Sequence, residues 1–506
     1  MKTKMRLLAT VTVVLVFCLA QFGCSFVLME GDALKNPTEA IVSTTTEAGG
    51  ESLDSPSDTP DATTGTSGSQ MGTVTTGSGQ TTTKAPIGGK VTTSRNTTTQ
   101  AAIKNVEKPL SGKLEIQIST NESQVQADMW TSLIDMFEQK TGVNVTAYIG
   151  SQVNTQLAKR WIGGNPPDIA CLSGAGIPDI ALEESGALYD CTDMLKNGYV
   201  YGTDEKIWDV VHHDLHEISS GNRYFRPGYL AASYGVLYDK TYINELGEKM
   251  PSNYTELMAF ADRVIAKGKT PFTTYGSTGG YSTWSMVMPA IAAYGQTTLD
   301  KVLQVNVATW KGAEVRSVLQ RWYDFCDKKG ALMTGTATFD HTTAQMKWLK
   351  HDAVLIGNGI WLPWEVQNNT PKNFEMAYTH SPMILANQSP SVVLYPTSMI
   401  IAKDGKNLEN AKAFMRFLYT KEAQSILVRG IGYFGGRNDM DYTRLDGLSA
   451  ASRRILTYIY SDAVKRTYRR YSWGDLNDTI NGSVHGLMTG SLTVDQAVSR
   501  VVSKAH

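Results

Sequence analysis

Between Lys113 and Leu172 the chain alternates short apolar runs with longer amphipathic ones, and that order restricts the fold more than anything else in its 506 residues. The run "KLEIQIST" alternates apolar and polar residues as a strand does. "QADMWTSLIDMFEQKTG" then places Met129, Leu133, Met136 and Phe137 on one helical face and stops at Gly142. "VNVTAYI" predicts a second strand, "VNTQLAKRWIGG" a second helix, and Ile169 to Leu172 a third strand. This β-α-β-α-β order implies parallel strands joined by right-handed crossovers. Ligands of such open sheets collect at the carboxyl edge of the strands, which directs attention to the "SGAG" after Leu172.

Upstream, the sequence cannot fold in the same way. From Ser43 to about Gln100 it is nearly all Thr, Ser, Gly, Asp and Pro, too poor in apolar side chains to offset the entropy of ordering. A disordered stalk is expected, spanning about 40 to 45 Å on average. Ahead of it, Lys2, Lys4 and Arg6 precede an apolar run from Leu7 to Ala20 and small residues around Gly23, the layout of an export signal. Cys24 after Gly23 resembles a bacterial lipidation site, with Gln21 where that pattern has Leu. The other reading extends the apolar run through Phe26, Val27 and Leu28 as an uncleaved membrane anchor. Either one tethers the chain on the outer side of the cell membrane, with residues 1–24 as signal and 25–111 as stalk.

Charge and cysteine use exclude several classes. With 47 Lys+Arg against 48 Asp+Glu there is no basic excess for phosphates, so nucleic acid is not expected as a partner. Outside the signal, Cys171, Cys191 and Cys326 are odd in number and lack CxxC spacing, which reads as buried thiols; a Cys171–Cys191 disulfide is the alternative in an oxidising compartment. There is no G-x-x-x-x-G-K-[ST], no G-x-S-x-G, and no G-x-G-x-x-G that follows an expected strand with an acid downstream. "VHHDLHE" sets His212 and His216 four apart beside Glu217, but not in the H-E-x-x-H order of zinc helices, and an exposed polar turn is the simpler reading. Glu183 with Glu184, and Asp204 with Glu205, read as solvated faces.

Aromatic residues are the positive signal. Tyr281 and Trp284 lie in "YGSTGGYSTW", and Trp361 and Trp364 in "IGNGIWLPW" at the end of an expected strand. A ring held at a strand end can stack on the apolar face of a sugar while polar neighbours bind its hydroxyls. Trp130 and Trp322, at helical spacing among apolar neighbours, read as core.

Five landmarks occur together in order: "MWTSLIDMFEQKTGVNV", "GNPPDIACLSGAGIPDIALEESGALYD", "RPGYLAASYGVLYDKTYINELG" with "PSNYTELMAFADRV", "GNGIW", and "NLENAKAFMRFLYTKEAQ". In this the stretch from about Leu114 to about Gly436 resembles the extracellular solute-binding proteins of family 1, the sugar-binding components of bacterial ABC transporters. The resemblance implies a periplasmic-binding-protein-like type II fold, two α/β lobes joined by a hinge that the chain crosses three times. Lobe one would be 112–226 plus 382–428, and lobe two 230–380 plus 432–506. It further implies a monomer that captures an oligosaccharide between the lobes and delivers it to permease subunits, with no catalytic residue, metal or cofactor. Carried over by position, Trp361, Tyr281, Trp284 and Tyr229 would contact ligand from the second lobe and the crossing, and Thr120, Asn121, Glu122 and Ser173 from the first. A secreted carbohydrate-active enzyme, or a receptor that presents solute to a membrane sensor, are the other readings of the same aromatics and export signal.

Overall fold

One ten-stranded sheet runs through the two largest of four apolar clusters among the described residues, the first and second cores. The computed structural model describes residues 107–119, 124–172 and 177–505; the export signal with Cys24, and the stalk up to residue 106, lie outside them. Strands β1 (Lys113–Ser119), β2 (Asn144–Gly150) and β3 (Ile169–Cys171) lie in the order β2-β1-β3, all parallel. Helices Gln124–Thr141 and Val153–Ile162 make the crossovers. The alternation in "KLEIQIS" predicts one solvated face, yet Gln117 is fully buried, because a parallel sheet is covered on both sides. Its amide is satisfied there: Nε2 donates to Asn154 Oδ1 at 2.8 Å and Oε1 accepts from Trp161 Nε1 at 3.0 Å.

A hairpin of β4 (Glu217–Ser219) and β5 (Arg223–Arg226) leads to the long strand β6 (Gly228–Asp239). The second half adds β7 (Phe272–Thr274), β8 (Leu355–Gly359) and β9 (Met376–Thr379), and then the other long strand, β10 (Ser391–Ile401). Two short strands complete the sheet, β11 (Phe434–Gly435) on β6 and β12 (Lys465–Tyr468) on β10. The path β2-β1-β3-β10-β6-β8-β7 is antiparallel only around β10 and β6. These two strands pass from one core to the other. Tyr229, Leu230, Met399 and Ile401 pack in the first core, and Val236 and Val393 in the second.

Packing at two places joins residues from either side of the expected lobe boundaries. Residues 382–428 were assigned to the first lobe by resemblance, but Met383, Ile384 and Val393 pack in the second core. Tyr442 and Leu448, on the second-lobe side of the expected boundary, pack in the first. The apolar run "VVLYPTSMII" is continuous because one strand serves both cores, so nothing in it marks the passage. Two helices, Leu408–Leu418 and Lys421–Ile431, follow β10. Thr420 starts the second by accepting from the Ala423 N–H at 3.2 Å, a side-chain cap that competes with helix continuation. All three cysteines outside the signal are free, and Cys171 and Cys191 are buried, so they form no disulfide.

One network of buried charge sits at the first crossing. Arg226, two residues before β6, donates through Nη1 to Glu183 at 2.6 Å and through Nε to Asp179 at 2.5 Å, with Glu217 at 4.0 Å. Glu217 also accepts from Arg469, which follows β12. This network ties the helix Asp179–Glu184 of the first half to the crossing and to the second half.

Beside it, "VHHDLHE" is not an exposed turn. His216 and Glu217 are buried, and among the described residues no cluster suits a metal ion. His216 Nδ1 accepts from the Gly228 N–H at 3.1 Å, while its Nε2 and that of His212 are buried without a partner. Burial lowers both imidazoles, His212 to about 4 and His216 to about 3. The unfolded chain therefore takes up protons that the native state refuses. The stabilisation is complete above the ordinary imidazole pKa, about 6.5, and is lost as pH falls below it, by about 1.4 kcal/mol per pH unit for each ring. Urea unfolding at pH 7.5 and pH 5 should show this loss. His216→Asn, which keeps an acceptor for Gly228, should reduce the difference between the two pH values by about 1 to 2 kcal/mol; an unchanged difference would refute the assignment.

Candidate functional site

The first half presents strand ends to a cavity of about 410 Å³. Ser119 closes β1, Ser151 follows β2 and Leu172 follows β3, with Gln126 on the first crossover helix. This is the carboxyl edge at which parallel sheets bind ligands. The passing strands make the floor, through Ala232 and Tyr234 of β6 and Tyr395, Pro396 and Thr397 of β10. Tyr281, Trp361, Glu365 and Tyr433 make the opposite wall. A volume of this size is ordinary for a small-ligand site.

Five aromatic rings line the cavity and hold one another edge to face. Tyr234 stands perpendicular to both Trp361 and Tyr281, at centroid distances of 4.7 Å and 5.4 Å. Trp361 also meets Tyr281 at 6.1 Å and Tyr433 at 6.2 Å. Such T-shaped contacts fix ring planes, so the apolar faces are set before a ligand arrives. The phenols of Tyr234, Tyr281 and Tyr433 are pushed up by burial, with further raising from Glu365, and so stay protonated as hydrogen-bond donors.

Local backbone chemistry sets these rings in place. Trp361 lies against the end of β8, where a Cβ on Gly359 would stand 2.1 Å from its six-membered ring. Only glycine leaves room for that approach. Gly359→Ala should therefore move the indole and weaken ligand affinity by about tenfold or more while leaving the fold intact, since a displaced anchor loses most of its contact. Affinity and far-UV circular dichroism together check this. Tyr281 and Trp284 are three residues apart, which on an α-helix would put them on one face. The helix widens to a π-turn over Thr283–Val287, and Trp284 goes into the second core behind Tyr395, at 5.1 Å, and against Trp473, at 4.9 Å.

Glu365 is the one carboxylate among the described residues of the wall. Its Oε2 accepts from Gln345 Nε2 at 2.7 Å and lies 3.2 Å from His341 Nε2. Both partners sit on the helix His341–Leu349. Burial lowers the His341 imidazole, so it stays neutral beside Glu365.

Of the residues singled out in the sequence, Tyr281 and Trp361 come together in the cavity. Tyr229 and Trp284 do not reach it. Tyr229 is buried in the first core with its hydroxyl 3.2 Å from Cys171 Sγ, and Trp284 backs the floor. Thr120, Asn121, Glu122 and Ser173 lie outside the described residues. Sequence reasoning missed Tyr234, Tyr395, Tyr433 and Glu365. Tyr234 and Tyr395 interrupt apolar strands, and a tyrosine followed by proline in β10 was an available signal. Asp168, just before β3, takes the Glu115 N–H at 2.8 Å and both the N–H and the amide of Asn407, at 3.0 Å and 2.9 Å.

With this geometry in hand, the chain can be set beside known proteins. The family model described as bacterial extracellular solute-binding protein matches residues 118–425, more than half of the chain. A diacetylchitobiose-binding protein of Streptomyces coelicolor is 24% identical over 299 residues, covering 56% of this chain and 61% of that protein, less than two thirds of its length. A multiple sugar-binding protein of Streptococcus mutans is 20% identical over 317 residues, covering 62% of this chain and 72% of that one. Among solved structures, a chitin oligosaccharide binding protein superimposes with a TM-score of 0.60 at 17% identity, over 77% of this chain and 97% of that one. At that identity the likeness establishes the two-lobed binding-protein fold.

Proposed function

This chain belongs to the bacterial extracellular solute-binding protein family, and from that premise we propose that it captures an oligosaccharide in the cleft between its two halves and delivers it to an ABC permease. The observation that carries the reading is the cavity itself: five aromatic rings, Tyr234, Tyr281, Trp361, Tyr395 and Tyr433, with a carboxylate, serines and an amide between them. Flat apolar faces interleaved with hydrogen-bonding groups match the alternating faces and hydroxyls of a pyranose. The relatives are described as binding proteins for chito-oligosaccharides and multiple sugars, which supports carbohydrate as the ligand class.

The remaining parts of the reading follow from the sequence. The expected export signal and Cys24 support a lipid anchor on the outer face of the membrane, and the family resemblance supports a monomer without catalysis. Among the described residues no helix is long and apolar enough to cross a membrane.

Thermal unfolding against a panel of mono- and oligosaccharides, amino acids, peptides and polyamines tests the proposal. A sugar at 100 times its dissociation constant adds about 2.7 kcal/mol to stability and raises the melting temperature. Stabilisation by a sugar that is recovered intact supports the reading. Stabilisation only by another solute class refutes the ligand, and hydrolysis of the sugar refutes the transport role.

A further inference from the structure

The floor of the cavity has a cation behind it. Arg469 Cζ stands over the Tyr395 ring, 4.2 Å from its centroid, and Arg469 does not itself line the cavity. It therefore covers the face that Tyr395 turns away from the ligand space. The guanidinium is buried and held at both ends of its fork: Nη1 donates to Glu217 Oε1 at 2.5 Å and Nη2 to Ser472 Oγ at 3.0 Å. The Arg469 backbone N–H donates to the Leu394 carbonyl at 2.9 Å, one residue before the ring it covers. Trp284 meets the same tyrosine edge to face at 5.1 Å. A guanidinium keeps its proton in a protein, so the charge behind the ring is permanent. Glu217 connects it, at 4.0 Å, to Arg226, which holds Asp179 and Glu183 at the first crossing.

We infer that Arg469 is a positioning residue for the ligand, acting through Tyr395: it fixes the plane of that ring and hence the floor a sugar lies on; the inference rests on the carbohydrate reading above. A desolvated guanidinium over a ring face is among the stronger contacts an aromatic side chain makes. With Trp284 against its edge and the cation on its back, Tyr395 has one orientation in the free protein. A ring already fixed loses little conformational entropy when a ligand arrives, so affinity is higher than for the same ring left free to turn. Removing the guanidinium opens the space behind Tyr395 and lets the ring tilt into it.

The test is a double-mutant cycle on affinity, measured by titration calorimetry with maltotriose, cellotriose and chitotriose. Arg469→Gln should weaken whichever sugar the wild type binds by at least about fivefold. Tyr395→Leu keeps apolar bulk on the floor and so a measurable affinity. In that background Arg469→Gln should cost less than about twofold, because the ring through which it acts is gone. A purely structural role for Arg469 would cost the same in both backgrounds. Arg469→Lys keeps the charge and loses the flat stack, and should weaken binding by about threefold beside Tyr395 and hardly at all in the Tyr395→Leu background. Equal losses in the two backgrounds, or wild-type affinity in Arg469→Gln, overturn the inference and leave the carbohydrate reading standing. Failure of all three sugars to bind the wild type overturns both. Should Arg469→Gln not fold, Arg469→Lys carries the cycle by the same criterion.

Discussion

Trp361→Ala should abolish useful ligand affinity, raising the dissociation constant by at least about thirtyfold, equal to about 2 kcal/mol or more. Trp361 meets three of the other four rings of the cavity, so its loss removes the largest flat surface and frees Tyr234 and Tyr281 to turn. Titration calorimetry with a ligand found in the screen measures the effect, and the unliganded melting temperature, expected to fall by only a few degrees, separates it from unfolding. Trp361→Phe should keep much of the affinity because a ring face remains. If Trp361→Ala binds as wild type does, the ligand does not sit on this wall.

Arg226→Met should be the most destabilising single change at the crossing, costing about 3 to 5 kcal/mol in urea unfolding, because it leaves Asp179 and Glu183 as neighbouring carboxylates without their shared partner, while Glu217 keeps Arg469. The guanidinium is only 4% exposed, so solvent cannot replace it. Replacing one acid, as in Glu183→Gln, should cost much less, and the double variant should recover part of the loss, the non-additivity expected of residues in one network. A loss under about 1 kcal/mol for Arg226→Met would mean that the network is open to water.

The parts of the fold that were legible in the sequence are those governed by local pattern. Met129, Leu133 and Phe137 announced a helix face and are buried. Ile169 to Cys171 announced a buried strand and pair in parallel with β1. What escaped was decided by distant packing. Nothing near Gln117 says that its amide will meet Asn154 and Trp161, and nothing in "VVLYPTSMII" says where one core gives way to the other.

The site divides along the same line. Trp361 was legible because glycines and a strand end surround it, a local arrangement that holds a ring at an edge. Tyr281 and Trp284 looked equivalent, and only the π-turn separates cavity from core. Glu365 was invisible because a lone acid acquires meaning only from His341 and Gln345, which a separate helix supplies. Tyr229 misled because the residue after the crossover proline and glycine lies on the face of β6 that fills the first core.

The ladder between β6 and β10 breaks register between Thr397 and Ser398, opposite Leu230 and Gly228, next to a proline that has no N–H to give. Any rotation of one half against the other has to bend these two strands, and a bulged, partly unbonded stretch is the compliant point of an otherwise stiff beam. Tyr395, Pro396 and Thr397 are at once the floor of the cavity and this flexure.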